Sequence, residues 1–280
     1  MAIFIGPFFA LFVAFYIVPV IFAVWQSLQT VTRADAFSPP IEAFGGLTQY
    51  FRVFSDTAFL ESIGRVIFLG FIQVPLTIAF ATIFALLLDS PLIRGKAFFR
   101  LGFFAPYAVP SVVAAIMWTF LYAPSLSPLP WLAQNVNFLG SDLILASIGN
   151  IGAWLYTGWI MLVVYSALQA IPQDLYEAAY MDGASQARIA WSIKIPAITP
   201  ALVMTGVFSI IGVFQLFNEP QVLASGTGAV PGNYTPNMIV YSTLAVPNYN
   251  LASAYSVVLA IATCVFSFAL LKFAQRRGLS

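Results

Sequence analysis

The chain has no histidine, a single cysteine (Cys264) and very little charge, with only 8% of its 280 residues being Asp, Glu, Lys or Arg. Without histidine there is no HExxH zinc site, no Ser-His or Cys-His nucleophile pair and no imidazole relay. One cysteine in an apolar run makes no internal disulfide and no Cys-based metal cluster, so no metal site is expected. Lys and Arg (11) nearly balance Asp and Glu (10) for a net charge of +1, which leaves no electrostatic footprint for nucleic acid. What is present is hydrocarbon: 61% of residues are hydrophobic and the mean hydropathy is +0.92. A soluble domain is about one-quarter charged, so this is the composition of an integral membrane protein.

Six segments are apolar over the roughly 20 residues that a helix needs to cross the hydrocarbon core: Ile3–Leu28, Ile63–Leu88, Phe98–Tyr122, Leu143–Leu168, Ile198–Phe217 and Leu251–Phe273. Their apolar character is continuous and not alternating, which makes a β-barrel a poor alternative. The expected fold is all-α, with six transmembrane helices in one transmembrane domain spanning 1–280. Backbone in lipid must satisfy its own hydrogen bonds, so the polar and Pro/Gly-rich connections lie outside. On one side these are Thr30–Ser62 (with Pro39, Pro40, Gly45 and Gly46), Ala123–Asp142, and Asn218–Asn250, where Gly226, Gly228, Pro231, Gly232 and Pro236 are expected to forbid a regular helix. On the other are Asp89–Ala97, Gln169–Ala197 and the tail Ala274–Ser280.

The distribution of basic residues orients the chain. Arg94, Lys96, Arg100, Arg188, Lys194, Lys272, Arg276 and Arg277 lie on one side, and only Arg33, Arg52 and Arg65 on the other. Both termini and Gln169–Ala197 are therefore expected in the cytoplasm of a cell whose cytoplasmic (inner) membrane holds the chain. Ile3–Trp25 has no basic leader and too long an apolar core for a secretory signal. It is read as a retained first span, and the missing leader points to a start codon further upstream.

Connections of about 28 residues usually do something. Within Gln169–Ala197, Pro172 and Asp174 suit a first helical turn, Gly183 suits a C-terminal cap, and a second helix over Ala184–Lys194 is expected to stop at Pro196. On the first helix, Ala178 and Ala179 leave low relief between the apolar Leu175, Tyr176 and Met181 and the charged Glu177 and Asp182. Such a surface fits a partner's groove, or an amphipathic helix lying on membrane lipid.

Glu177-Ala178-Ala179, Gly183, Ile193 and Pro196 stand at the spacing EAA-x3-G-x9-I-x-L-P, with Ile195 in place of the Leu. This resembles the EAA loop of permease subunits of binding-protein-dependent ABC importers. Phe99-Arg100, Phe104, Pro106, Pro110, Val112–Ala115, Trp118 and Leu121-Tyr122 are similar to the third-span signature of the sugar-permease, maltose-transporter-type branch. Phe217–Leu223 and Tyr234-Thr235-Pro236 resemble its last outer loop. Ser125–Pro130 departs from the Gly-x-x-Asn turn common in that branch.

The resemblance implies a type I ABC importer permease fold and a set of partners. These are a second homologous permease subunit, two ATPase subunits and an extracytoplasmic solute-binding protein. It assigns Glu177, Ala178, Ala179, Asp182, Gly183, Ile193 and Pro196 to coupling with the ATPase, Glu177 through a charged pair. The chain has no GxxxxGK[ST] loop, so it is read as a transport subunit and not an enzyme, with ATP and Mg held by the partner ATPase and no cofactor of its own.

For the solute path, Gly206, Ser209, Gly212 and Gln215 or Leu216 form one small, polar stripe at helical spacing, which equally suits helix packing. Ser209 is 13 residues past Pro196, where the family tends to place a solute contact. Gly152, Tyr156 and Trp159 are candidates for the same cavity, while Trp118, Tyr122 and Trp154 suit sugar stacking or interfacial anchoring. Gln73 with Pro75 marks a kink. Arg65 and Glu219 are expected at the outer boundary with no charge deeper, which favours a neutral sugar or small oligosaccharide over ionic solutes. An ion-coupled secondary transporter would want mid-membrane carboxylates and repeats, an intramembrane enzyme would want acid–base groups, and a scaffold would leave the EAA loop without a purpose.

Overall fold

The computed structural model describes residues 2–32, 41–246 and 248–276. Arg33, Pro39, Pro40 and Arg277, invoked above, lie outside the described residues. The chain divides into two compact units, residues 1–64 with 232–262, and 65–231 with 263–280.

In the first unit, α1 (Ala2–Phe12), a π turn (Val13–Ile17) and α2 (Val18–Ser27) make one apolar run. The π turn follows from Pro19: the Val18 N–H bonds Val13 O, five residues back, so the residue without an N–H falls just after a widened turn. A two-stranded antiparallel ladder follows, with β1 (Gln29–Thr32) paired to β2 (Ile41–Phe44), and then α3 (Thr48–Ser55). Asp56 caps α4 (Thr57–Asp89) by accepting from the Ala58 N–H at 3.0 Å. Its other carboxylate oxygen accepts from the Tyr255 hydroxyl at 2.5 Å. Val53, Phe59, Ile239, Ala254 and Tyr255 form the core of this unit.

In the second unit, α4 continues past Pro75 to Asp89, and the Thr77 hydroxyl bonds Gln73 O at 2.7 Å. The expected third span is not one helix. α5 (Lys96–Phe104) with its 3₁₀ turn (Ala105–Ala108) meets α6 (Ser111–Tyr122) at 98°. Pro110 explains the break, since it forces Val109 into an extended conformation (ψ 127°) and donates no N–H. Among the described residues, five helical runs are long and apolar enough to span a membrane, and six if the bent pair counts as one.

After a short α7 (Pro130–Asn135), α8 (Ile144–Gln169) packs on α4 and α11. Ala81, Ala85, Leu88, Ile160, Met161, Val164, Leu168 and Ile198 are the buried core there. Gly158 lets α8 approach the α5 backbone, because a Cβ at that position would overlap the Phe103 carbonyl.

The 169–197 segment holds α9 (Gln173–Met181), α10 (Gln186–Ile189) and a π turn (Ala190–Lys194) that runs straight into α11 (Ile195–Phe214). Pro196 does not stop the second helix, contrary to the sequence expectation. Ile195 N–H bonds Ala190 O, five residues back, and the proline then sits just beyond the widened turn, as Pro19 does. No regular helix runs through Asn218–Asn250, in line with the sequence expectation. α12 (Asn218–Gly226) and α13 (Pro236–Ala245) occupy its ends, and Gly228, Pro231 and Gly232 break it only in the middle, before α14 (Tyr249–Arg276).

Candidate functional site

Within the second unit a cavity of about 380 Å³ opens between α4, α8, α11 and the start of α12. All five solute-path candidates, Gly152, Tyr156, Ser209, Gly212 and Gln215, line it. The stripe read on α11 divides, however. Gly206 is buried, with Leu270 close to where its Cβ would stand, so it serves packing. Gly212 has nothing within 4 Å of the position a Cβ would take, so it widens the cavity. The Ser209 hydroxyl donates to Thr205 O at 2.8 Å, so towards a solute it can act as an acceptor. Gly152 serves close approach, since a Cβ there would overlap the Gln73 amide.

One wall is aromatic. Tyr107 stacks on Trp159 at 6.2 Å and meets Tyr156 edge-on at 6.3 Å, while Trp159 meets Phe208 edge-on at 6.1 Å. The other wall is polar: Gln73, Ser111, Asn218 and Glu219, with Asn218 donating to the Ser111 hydroxyl at 2.9 Å.

Glu219, expected at the outer boundary, is 5% exposed and lines the cavity beside Ser209 and Gly212. The reason is the turn at 215–217, which ends α11 and lays the first turn of α12 across the opening. Tyr107, Ser111 and Phe208 carry no pattern that singles them out in sequence, and Gln73 reads there only as part of a kink. Trp118, Tyr122 and Trp154 do not reach the cavity. They pack together, at 5.3 Å and 5.9 Å from Trp118 to its two partners. The buried Tyr122 hydroxyl donates to Ser147 O and accepts from the Asn150 amide, so it is neither an interfacial anchor nor a stacking surface.

The coupling-loop residues are presented differently. Pro172 precedes α9, and Asp174 sits in its first turn, where the dipole favours a carboxylate. Gly183 closes the helix with φ +75°. Its N–H bonds Tyr180 O, and the Ala184 N–H bonds Ala179 O, the paired bonds of a Schellman cap. Glu177, Ala178, Asp182 and Gly183 are exposed, as is Met181, while Ala179 is half-buried. Ile193 is half-buried in the π turn and Pro196 is exposed at the start of α11. Behind α9, burial pushes the Tyr176 hydroxyl up from its ordinary value, with Asp89 and Tyr180 adding to the rise, so that ring stays neutral.

The model of the family described as "Binding-protein-dependent transport system inner membrane component" matches residues 81–279. The trehalose/maltose transport system permease protein MalF of Thermococcus litoralis is 30% identical, across 97% of this chain and 92% of that one. The sn-glycerol-3-phosphate transport system permease protein UgpA of Agrobacterium fabrum is 28% identical, across 93% and 92%. A crystal structure of a bacterial ABC transporter involved in the import of the acidic polysaccharide alginate superposes with a TM-score of 0.80 at 19% identity, across 96% of this chain and 93% of that one. A multi-pass helical chain, an exposed Glu-Ala-Ala helix closed by a left-handed glycine, and near full-length matches converge: the chain belongs to the binding-protein-dependent transport system inner membrane components, the permease subunits of ABC importers.

Proposed function

We propose that this permease subunit passes a neutral sugar or small oligosaccharide through the cavity lined by Gly152, Tyr156, Ser209, Gly212 and Gln215. The observation that carries the reading is their convergence, from two separate helices, on one opening with an aromatic wall. Its volume falls within the range of about 300–1,000 Å³ for small-molecule sites. Ring faces of Tyr107, Tyr156 and Trp159 suit the apolar faces of a sugar, while Gln73, Ser209, Gln215 and Glu219 suit its hydroxyls. A buried carboxylate in the opening disfavours an anionic solute.

Coupling is assigned to the exposed Glu177, Ala178, Ala179, Asp182 and Gly183, with Ile193 and Pro196 fixing the approach to α11. A separate ATPase binds ATP and Mg and grips α9. A second permease subunit completes the pore, and a solute-binding protein delivers the sugar on the opposite face. Both termini lie in the cytoplasm of a cell whose cytoplasmic membrane carries the complex.

The test is uptake by proteoliposomes holding the permease pair, the ATPase and the binding protein, with a panel of labelled neutral and acidic sugars. Uptake of a neutral sugar that requires ATP inside and binding protein outside is the expected result. Uptake by the permease alone, driven by a proton or sodium gradient without nucleotide, would overturn the reading. Labelling of Met181→Cys from one side of the membrane, with Cys264→Ser, checks the orientation.

A further inference from the structure

Four elements of the second unit meet at a single ion pair. Asp89 is the last residue of α4, Gln169 the last of α8, and Lys194 the last of the π turn that leads into α11. Lys194 Nζ lies 2.5 Å from Asp89 Oδ2, and each side chain is only 10% exposed. Gln169 Nε2 donates to the other oxygen, Oδ1, at 2.7 Å. The fourth element is α9: the Lys194 ammonium stands 5.1 Å from the centre of the Tyr176 ring.

Helix stability does not explain this placement. A carboxylate at the C-terminal end of α4 faces the negative end of the helix dipole, and a buried ion pair adds little net stability over apolar residues of the same size. What such a pair does strongly is resist separation, because breaking it strands a charge in a medium of low dielectric. Tyr176 lies one residue before Glu177, so its ring ties the exposed face of α9 to that charge.

We propose that Asp89, Lys194 and Tyr176 form a latch that makes the ends of α4, α8 and α11 follow α9, so that a displacement of the coupling helix reaches the helices that line the cavity. These are positioning residues, and the inference rests on the importer reading above.

The assembled importer in proteoliposomes tests it, with maltose and trehalose as probe sugars. Lys194→Met is expected to keep the wild-type yield of co-purified ATPase and the basal ATP hydrolysis, yet to take up about tenfold less sugar per ATP, a coupling loss of about 1.4 kcal/mol. The charge swap Asp89→Lys with Lys194→Asp recovers part of that loss. Tyr176→Phe, which keeps the ring, couples normally, whereas Tyr176→Leu does not. Wild-type sugar uptake per ATP in Lys194→Met overturns the latch.

If the wild-type complex takes up neither probe sugar, hydrogen exchange decides the latch without any solute, while the substrate reading is decided separately by the wider sugar panel. Lys194→Met is expected to speed exchange of the α9 amides about tenfold while α8 is unchanged, and unaltered α9 exchange overturns the latch on its own.

Discussion

The polar groups around Asp89 and those around Glu219 are buried to a similar degree but occupied in opposite ways. Asp89 has both oxygens filled from within the chain, by Lys194 and Gln169. Glu219 lies against an open cavity together with Gln73, Ser209 and Gln215. A buried charge that is fully paired holds elements together, whereas one that faces an opening is available to whatever enters. The second unit thus joins a region built to be rigid to one built to be filled, and α8 and α11 run from one to the other.

The largest effect expected from breaking this contrast comes from filling the cavity. Gly212→Trp should abolish ATP-driven sugar uptake while the complex still assembles and hydrolyses ATP, because no atom lies within 4 Å of the substituted position to force unfolding. Next is Gly183→Asp. At φ +75° an Asp side chain is disfavoured by about 1 kcal/mol, and it also adds charge to the docking face. Solute-stimulated ATP hydrolysis should be lost while the protein remains in the membrane at near wild-type yield.

Trp159→Ala removes the centre of the aromatic wall. A stacking contact of about 0.5–1.5 kcal/mol predicts a several-fold weaker apparent affinity in uptake, with little change in maximal rate. Glu219→Gln should alter the maximal uptake of neutral sugars only a few-fold and raise the competition from acidic sugars, read as inhibition of labelled neutral uptake. The smallest effect sharpens the boundary of the site. Tyr122→Phe removes two hydrogen bonds in a cluster that does not reach the cavity, for a stability loss of about 1–3 kcal/mol by thermal melting and no change in sugar preference.

The coupling loop was readable in sequence because its determinants are local. Pro172, Asp174, Glu177–Ala179 and Gly183 fix a helix and its two ends within about a dozen positions, and the structure places them as that pattern implies. The cavity was half-readable. Ser209, Gly212 and Gln215 share a helix face and announce themselves by spacing, but Tyr107, Phe208 and Ser111 carry no periodic signal. Their relevance comes from the 98° bend between α5 and α6 and from the helix neighbours that surround them. Two prolines misled in opposite directions. Pro196 looked like a stop, yet a π turn accommodates it, while Pro110 broke a stretch whose hydropathy had read as one continuous span.

Composition and local pattern by themselves determined that the chain is membrane-embedded and helical, where its apolar runs lie, and that a short capped helix projects from one connection, because hydrophobicity, backbone preference and capping act over a few residues. Only the tertiary structure decided that Glu219 belongs with Ser209, that Gly206 does not, and that Asp89 meets Lys194 across 105 positions. Burial and charge pairing depend on which helices become neighbours, and that is a property of the packed chain as a whole.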